Sequence, residues 1–288
     1  MDRKYVLKRP AGTSVYRLDY DRELNEEQRE VVLAGGGPIL VIAGAGSGKT
    51  RTLVYRVARL IESGTDPSRL MLLTFTNKAA KEMLRRVEGL LSVDTRRLAG
   101  GTFHSVGNRL LRRFGSRVGL DSNFTILDEE DAREMLEAAT SDRKILVLDH
   151  RFPKGDVLAD IYSFTINTGR SLTNVLVERA PHFSALETEI VSVFQRYQER
   201  KRAANAADYD DLLLAWKRLL EEVPQIAGLL RDSFDHILVD EYQDTNRLQG
   251  EIVDRMAAGK RNITVVGDDA QAIYSFRGAS FENILGFP

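Results

Sequence analysis

The 288-residue sequence contains no cysteine, which excludes disulfides, a thiolate metal site and a cysteine nucleophile. It also lacks any apolar run near the roughly 20 residues that a membrane-spanning helix needs, and its polar start does not read as a signal peptide. Internal repeats and low-complexity tracts are absent too. What remains is ordinary globular composition, 43% hydrophobic and 29% charged, with a cytoplasmic address as the default and no membrane partner expected. At this length one large α/β domain or two smaller ones is expected.

Net charge is nearly missing as well, at −1, but it is unevenly spread. Residues 1–119 hold 22 lysines and arginines against 12 aspartates and glutamates, whereas residues 120–288 hold 19 against 30. Such asymmetry suits a local basic surface for phosphates, and equally suits arginine-rich solvated helix faces.

The most informative segment is Ala43-Gly44-Ala45-Gly46-Ser47-Gly48-Lys49-Thr50, which follows the apolar run Ile39–Ile42. A buried strand, a glycine-rich turn and a helix start let backbone N–H groups and a lysine cradle nucleotide phosphates. The helix dipole adds to that attraction. Thr50 is positioned for the accompanying magnesium ion. The general pattern has glycine where this chain has Ala43.

Around this loop, strands and helices alternate. A capping box of Asn25 and Gln28 opens a helix to about Leu33, Pro38–Ile42 reads as a buried strand, and helical spacing follows from Lys49 to about Ser63. Leu70–Thr74 is a strand, Asn77–Leu91 a helix, and Thr102-Phe103 leads into a helix from His104 to about Phe114. That alternation implies a parallel sheet with right-handed crossovers. Residues 116–205 are instead mostly helical in pattern, with helices at Glu129–Thr140, Asp156–Asn167 and Ala185–Ala203 and a possible short strand at Thr125–Leu127. After Asp208 come an amphipathic helix with Trp216 and two further strands, His236–Val239 and Asn262–Val266.

Asp240 and Glu241 end the first of those strands. In a sheet of this kind ligands collect at strand C-termini, so Asp240 could hold magnesium and Glu241 could polarise a water for in-line attack; the bland alternative is that both cap the following helix. Gln271 follows the second strand and could hydrogen-bond a terminal phosphate or the attacking water. Tyr274 and Phe276 come next, either as core residues or, with the nearby charge of Arg277, as a platform for unpaired bases.

Seven blocks now stand in order: Leu24–Gln28, Ala43–Thr50, Thr74–Ala80, Gly101–Ser105, Asp208–Leu212, Val239–Asn246 and Gly267–Ala279. Together the chain resembles the N-terminal half of UvrD/Rep/PcrA-type superfamily 1A DNA helicases over nearly its whole length. The resemblance implies a RecA-like P-loop parallel sheet flanked by helices, discontinuous over residues 1–115 and 206–288 (domain 1A), with a mostly helical subdomain inserted at 116–205 (domain 1B). It implies ATP and Mg²⁺ as cofactors, and as partner single-stranded DNA or a duplex with a single-stranded tail.

By the same resemblance, Lys49, Asp240, Glu241 and Gln271 are catalytic, and Thr50 and Asp240 hold the metal. Gln28 looks like the residue that reads the adenine edge, with the capping role as its structural alternative, and Arg51 lies near the nucleotide. Phe75, Asn77, Thr102, Phe103, His104, Tyr274, Phe276 and Arg277 look like strand contacts; His104 could equally be a buried histidine. Phe276 stands where the family usually has tryptophan, which implies weaker stacking. Asp208–Leu212 resembles the return to the first motor domain, with an acidic helix start as its alternative role.

In the family a second motor domain follows, and its arginines complete the site; here the sequence stops at Pro288. The expectation is therefore the ATP-binding portion of a 3′-to-5′ helicase that by itself binds ATP without unwinding. A nucleotide-dependent single-strand-binding module without turnover is the alternative, and a P-loop kinase for a small metabolite is disfavoured by the single-strand motifs.

Overall fold

Among the described residues two short helices come first, α1 (Tyr20–Glu23) and α2 (Glu26–Leu33), and the second starts where its cap dictates. Asn25 Oδ1 accepts from the Gln28 N–H at 2.8 Å, and Gln28 Oε1 accepts from the Asn25 N–H at 3.3 Å, closing the expected capping box. Strand and helix then alternate through β1 (Ile39–Ile42), α3 (Lys49–Glu62), β2 (Leu70–Thr74), α4 (Asn77–Leu91), β3 (Ala99–Thr102) and α5 (Phe103–Phe114). A helical stretch follows, bracketed by two short paired strands: β4 (Thr125–Ile126), α6 (Glu129–Asp142), α7 (Gly155–Thr168), α8 (Leu172–Arg179), α9 (Glu187–Ala203) and β5 (Ala206–Ala207). The last elements among the described residues are α10 (Tyr209–Glu222), α11 (Pro224–Ser233), β6 (His236–Val239), α12 (Arg247–Ala257) and β7 (Ile263–Gly267). The computed structural model describes residues 18–91, 93–143, 152–268 and 287, so Gln271, Tyr274, Phe276 and Arg277 lie outside the described residues.

Side-chain caps set most helix starts. Asp128, Asp208 and Asn246 form capping boxes on α6, α10 and α12, and Ser171 caps α8. Three helices have no counterpart in the sequence reading, the first being the four-residue α1. The eight-residue α8 is too short to show a period, and α11 is announced only by Pro224 in its first turn.

Among the described residues the sheet is five-stranded and parallel throughout, in the order β1-β7-β6-β2-β3. Every residue of β2 and β7 is buried, as expected of strands covered on both faces. The buried-strand reading of Pro38–Ile42 needs correction. Among the described residues β1 pairs only with β7, at the sheet edge, and Ile42 is 53% exposed. An apolar run fixes that a segment is a strand; its position in the sheet order depends on non-local pairing.

One face of the sheet is covered by a core built around Trp216, Phe103, Val106, Leu213 and Ile252. The other face carries Leu53, Val57, Met83 and Val87 from α3 and α4. The helical stretch has its own core of Leu158, Ile161, Val175, Ile190, Val193 and Tyr197. Ile166 on α7 packs against both the first core and this one.

Candidate functional site: a phosphate loop and a cleft along one edge of the sheet

Because all five strands are parallel, their C-terminal ends lie along one edge, where ligands of open α/β sheets bind. In spatial order that edge presents the loop after β1, Asp268 after β7, Asp240 and Glu241 after β6, Phe75 and Asn77 after β2, and Thr102 to His104 after β3. The predicted nucleotide and strand residues thus sort into neighbouring halves of a single edge.

The loop from Ala43 to Thr50 turns into α3 through two glycines of positive φ, Gly46 at +76° and Gly48 at +88°. Only glycine adopts such angles without strain. At Gly48 space is also short, since a Cβ would stand 2.6 Å from Gln28 Nε2. Gln28 Nε2 donates to the Ser47 carbonyl at 2.8 Å, so α2 and the loop are joined. At the far end of α2 the buried Arg56 guanidinium, from α3, donates to the carbonyls of Val31, Val32, Ala34 and Gly35. The helix carrying Gln28 is therefore held at both ends by α3 and its loop. Arg51 is fixed beside this junction by Glu23, at 2.9 Å, and lies over the Tyr55 ring.

Lys49 is buried, with its Nζ 3.1 Å from Asp268 Oδ2 and 3.9 Å from Glu241 Oε2. Gln243, a residue the sequence reading passed over, bridges these carboxylate elements. Its Nε2 donates to Glu241 Oε2 at 2.7 Å, and its Oε1 accepts from the Asp268 N–H at 2.9 Å. Glu241 has the left-handed φ of 50°, a sparsely populated state for a side-chain-bearing residue and one that recurs at functional sites. Glu241 stands at the N-cap position of the short 3-10 turn Tyr242–Asp244 but makes no side-chain capping bond there, and α12 is capped by Asn246.

Asp240 lies beside Thr50, whose hydroxyl donates to its Oδ2 at 3.5 Å. Burial, and then the neighbouring Glu241 charge, pushes the Asp240 carboxyl up to about 6. Its Oδ1 is buried without a hydrogen-bond partner. A carboxylate with an unused buried oxygen next to a hydroxyl is a hard-oxygen donor set that fits magnesium. Among the described residues no group of three or more histidines, aspartates or glutamates gathers around a possible ion. Few protein ligands suit a cation that completes its shell with phosphate and water. A cavity of about 450 Å³ opens here, lined by Thr50, Asp240, Glu241, Gln243, Asp244 and Phe75.

Beyond it a larger cleft of about 1120 Å³ lies between the sheet edge and the helical stretch. Phe75, Asn77, Thr102 and His104 line it, as does Tyr209 at the start of α10. Phe75 is 36% exposed and Tyr209 45%, large exposures for aromatics. His104 and Tyr209 pack edge to face with ring centroids 5.6 Å apart, and burial lowers the His104 pKa. Thr102 caps α5, its hydroxyl accepting from the Ser105 N–H at 3.2 Å. Phe103 is a correction: it is 4% exposed and belongs to the core with Trp216, because it points inward from the first turn of α5 while its neighbours face the cleft. The opposite wall is acidic, with Asp128, Glu129, Glu130, Asp156 and Asp160, and includes Arg133 and Arg179. No helix among the described residues is long and apolar enough to cross a membrane.

Comparison with known proteins adds an independent finding. The family described as UvrD/REP helicase N-terminal domain matches residues 24–288. The chain is 37% identical over 267 residues to a Staphylococcus epidermidis protein named ATP-dependent DNA helicase PcrA, covering 92% of this chain and 36% of that protein. It is likewise 37% identical over 265 residues to the Staphylococcus aureus protein of the same name, again covering 92% of this chain and 36% of the relative. The chain thus spans little more than a third of the length of the curated relatives it matches.

Proposed function

Because the chain belongs to the UvrD/REP helicase family through its N-terminal domain, we propose that it supplies the ATP-binding portion of an ATP-dependent DNA helicase that translocates 3′ to 5′ on single-stranded DNA. The observation that carries the reading is the single sheet edge on which Lys49, Thr50, Asp240 and Glu241 adjoin the aromatic-lined cleft. The polarity rests on the family resemblance. The motor domain comprises residues 1–115 and 206–288, and 116–205 form the helical accessory subdomain.

Lys49 and the N–H groups of Ala43 to Thr50 bind the ATP phosphates, with the lysine exchanging its Asp268 contact for phosphate oxygens. Thr50 and Asp240 hold Mg²⁺, which when bound neutralises charge developing on the phosphates. Glu241 takes the proton of the attacking water, and Gln243 orients it by the bond to Oε2. Gln28 and Arg51 bind the base end of the nucleotide, and Gln271 senses the terminal phosphate. By itself the 288-residue chain binds ATP and does not unwind duplexes.

Phe75, Asn77, Thr102, His104 and Tyr209 form the described part of the strand path; Tyr274, Phe276 and Arg277 join it by the family resemblance alone. The acidic far wall disfavours phosphates, which leaves stacking on the aromatic side as the main attraction.

Two measurements test this reading. In the longest natural form of the protein, Lys49→Ala is expected to cut single-strand-stimulated ATP hydrolysis by about 10²–10³-fold, the cost of removing one preorganised charge-stabilising donor. Hydrolysis at the wild-type rate would remove Lys49 from the phosphate site. Phe75→Ala is expected to weaken oligothymidine binding by about 1–3 kcal/mol, the worth of one stacked base. Fluorescence anisotropy reads this directly, and an unchanged Kd would take Phe75 out of the strand path.

A further inference from the structure

Among the contacts between the helical stretch and the motor fold is one side-chain amide with partners on both of its polar atoms. Asn167, in the last turn of α7 and 7% exposed, accepts on Oδ1 from Asn246 Nδ2 at 2.7 Å. Its Nδ2 donates to Asp210 Oδ1 at 2.6 Å, with Ser163 Oγ and the Ser163 carbonyl at 3.1 and 2.9 Å. Asn246 in turn starts α12, its Oδ1 accepting from the Gln249 N–H at 2.8 Å. Three elements therefore converge on one side chain: α7, the start of α10 next to Tyr209, and the cap that ends the segment carrying Asp240 and Glu241.

The residue type is dictated by those partners. Asp210 presents an acceptor and Asn246 a donor, and among side chains of this length only asparagine offers a donor and an acceptor on one rigid plane. Aspartate would set a carboxylate against Asp210, and leucine would remove the hydrogen bonds to both half-buried groups at once. The neighbouring Ile166 packs into both cores, so the joint is apolar on one side and hydrogen-bonded on the other. Asp210 and Asn246 both line the cleft, and Asp244 lines the cleft and the smaller cavity beside Thr50 and Asp240. Asn167 itself also lines the cleft, next to the residues through which the cleft continues toward the nucleotide cavity.

We propose that Asn167 is a positioning residue through which occupation of the cleft is coupled to hydrolysis at Glu241. A strand that shifts Tyr209 and the start of α10 moves Asp210, and Asn167 passes that displacement to Asn246 because its two bonds share one amide plane. This coupling rests on the helicase reading of the cleft and of Glu241.

The test uses the longest natural form of the protein and saturating oligothymidine. Asn246→Ser keeps a good N-cap while losing the reach to Asn167, and Asn167→Leu keeps the approximate shape while losing both bonds. Each is expected to lower the strand-stimulated kcat about tenfold, within the roughly 5–150-fold span of allosteric coupling, with strand affinity and strand-free hydrolysis within about twofold of wild type. The double variant should be no worse than either single, because both break the same connection. Singles that respond to the strand as wild type does overturn the coupling, as does an equal loss with and without strand, which would mark mere structural damage. A wild-type protein whose hydrolysis ignores the strand overturns the helicase reading, and the coupling falls with it.

Discussion

Glu241→Gln is expected to lower ATP turnover by about 10²–10⁴-fold, the usual contribution of a positioned general base, while ATP affinity changes little. The three carboxylates at the strand ends differ in what they can do. Asp268 is 1% exposed and paired with Lys49, and Asp240 is 4% exposed, with Oδ2 accepting from Thr50 and Oδ1 buried without a partner. The Glu241 side chain alone among them is 36% exposed, so it can meet a water. Glutamine preserves its shape and can still accept from Gln243 Nε2, so the substitution removes basicity with little disturbance of the site. Steady-state hydrolysis together with nucleotide binding separates the two effects. Turnover within threefold of wild type would assign the water to another base, and a matching loss of ATP affinity would make Glu241 a binding residue.

Much of this site was legible because its signals are local. The glycines of the phosphate loop, the carboxylates closing an apolar run, and the Asn25–Gln28 capping box each occupy a few consecutive residues. What the sequence did not reveal depends on partners far along the chain. β1 reads as a buried strand by composition, yet its edge position follows from pairing with β7 more than two hundred residues later. Thr102, Phe103 and His104 form one block, but the helix start sends Phe103 into the core and its neighbours to the cleft. Tyr209 was hidden inside what reads as an acidic helix start; its exposure beside His104 appears only once α10 is placed against α5. Asn167 gives no local signal, since its partners Asp210 and Asn246 come from other elements.

Lys201→Met is expected to destabilise the protein by about 3–5 kcal/mol near neutral pH, the cost of leaving buried charge without its partner. Lys201 on α9 is 4% exposed, and its Nζ lies 2.6 Å from both Asp208 Oδ2 and Asp211 Oδ2. Tyr197 OH donates to the same Asp208 oxygen at 2.8 Å, and the ammonium stands 4.2 Å from the Tyr197 ring centroid. Methionine keeps the apolar stem but leaves Asp208, Asp210 and Asp211 together without the cation. Burial, and then Asp208, already raises the Asp210 and Asp211 carboxyls in the presence of the lysine. In the variant they rise further. A carboxyl whose folded-state pKa is raised contributes stability below its unfolded value and loses it as pH climbs through the folded value. The deficit of the variant should therefore shrink between pH 7.5 and pH 5. For the wild type, burial pulls the Lys201 pKa down, but Asp208 and Asp211 outweigh it and hold it above its ordinary value. Its contribution thus persists across that range and fades only in strong alkali. Urea unfolding of both proteins at the two pH values reads the difference, and a deficit that stays constant with pH would mean that lost packing, and not unpaired charge, is the cause. The cluster sits where the chain leaves α9 for the capping box of α10, the helix that begins with Tyr209. Failure here should therefore disturb the cleft before it disturbs the phosphate loop.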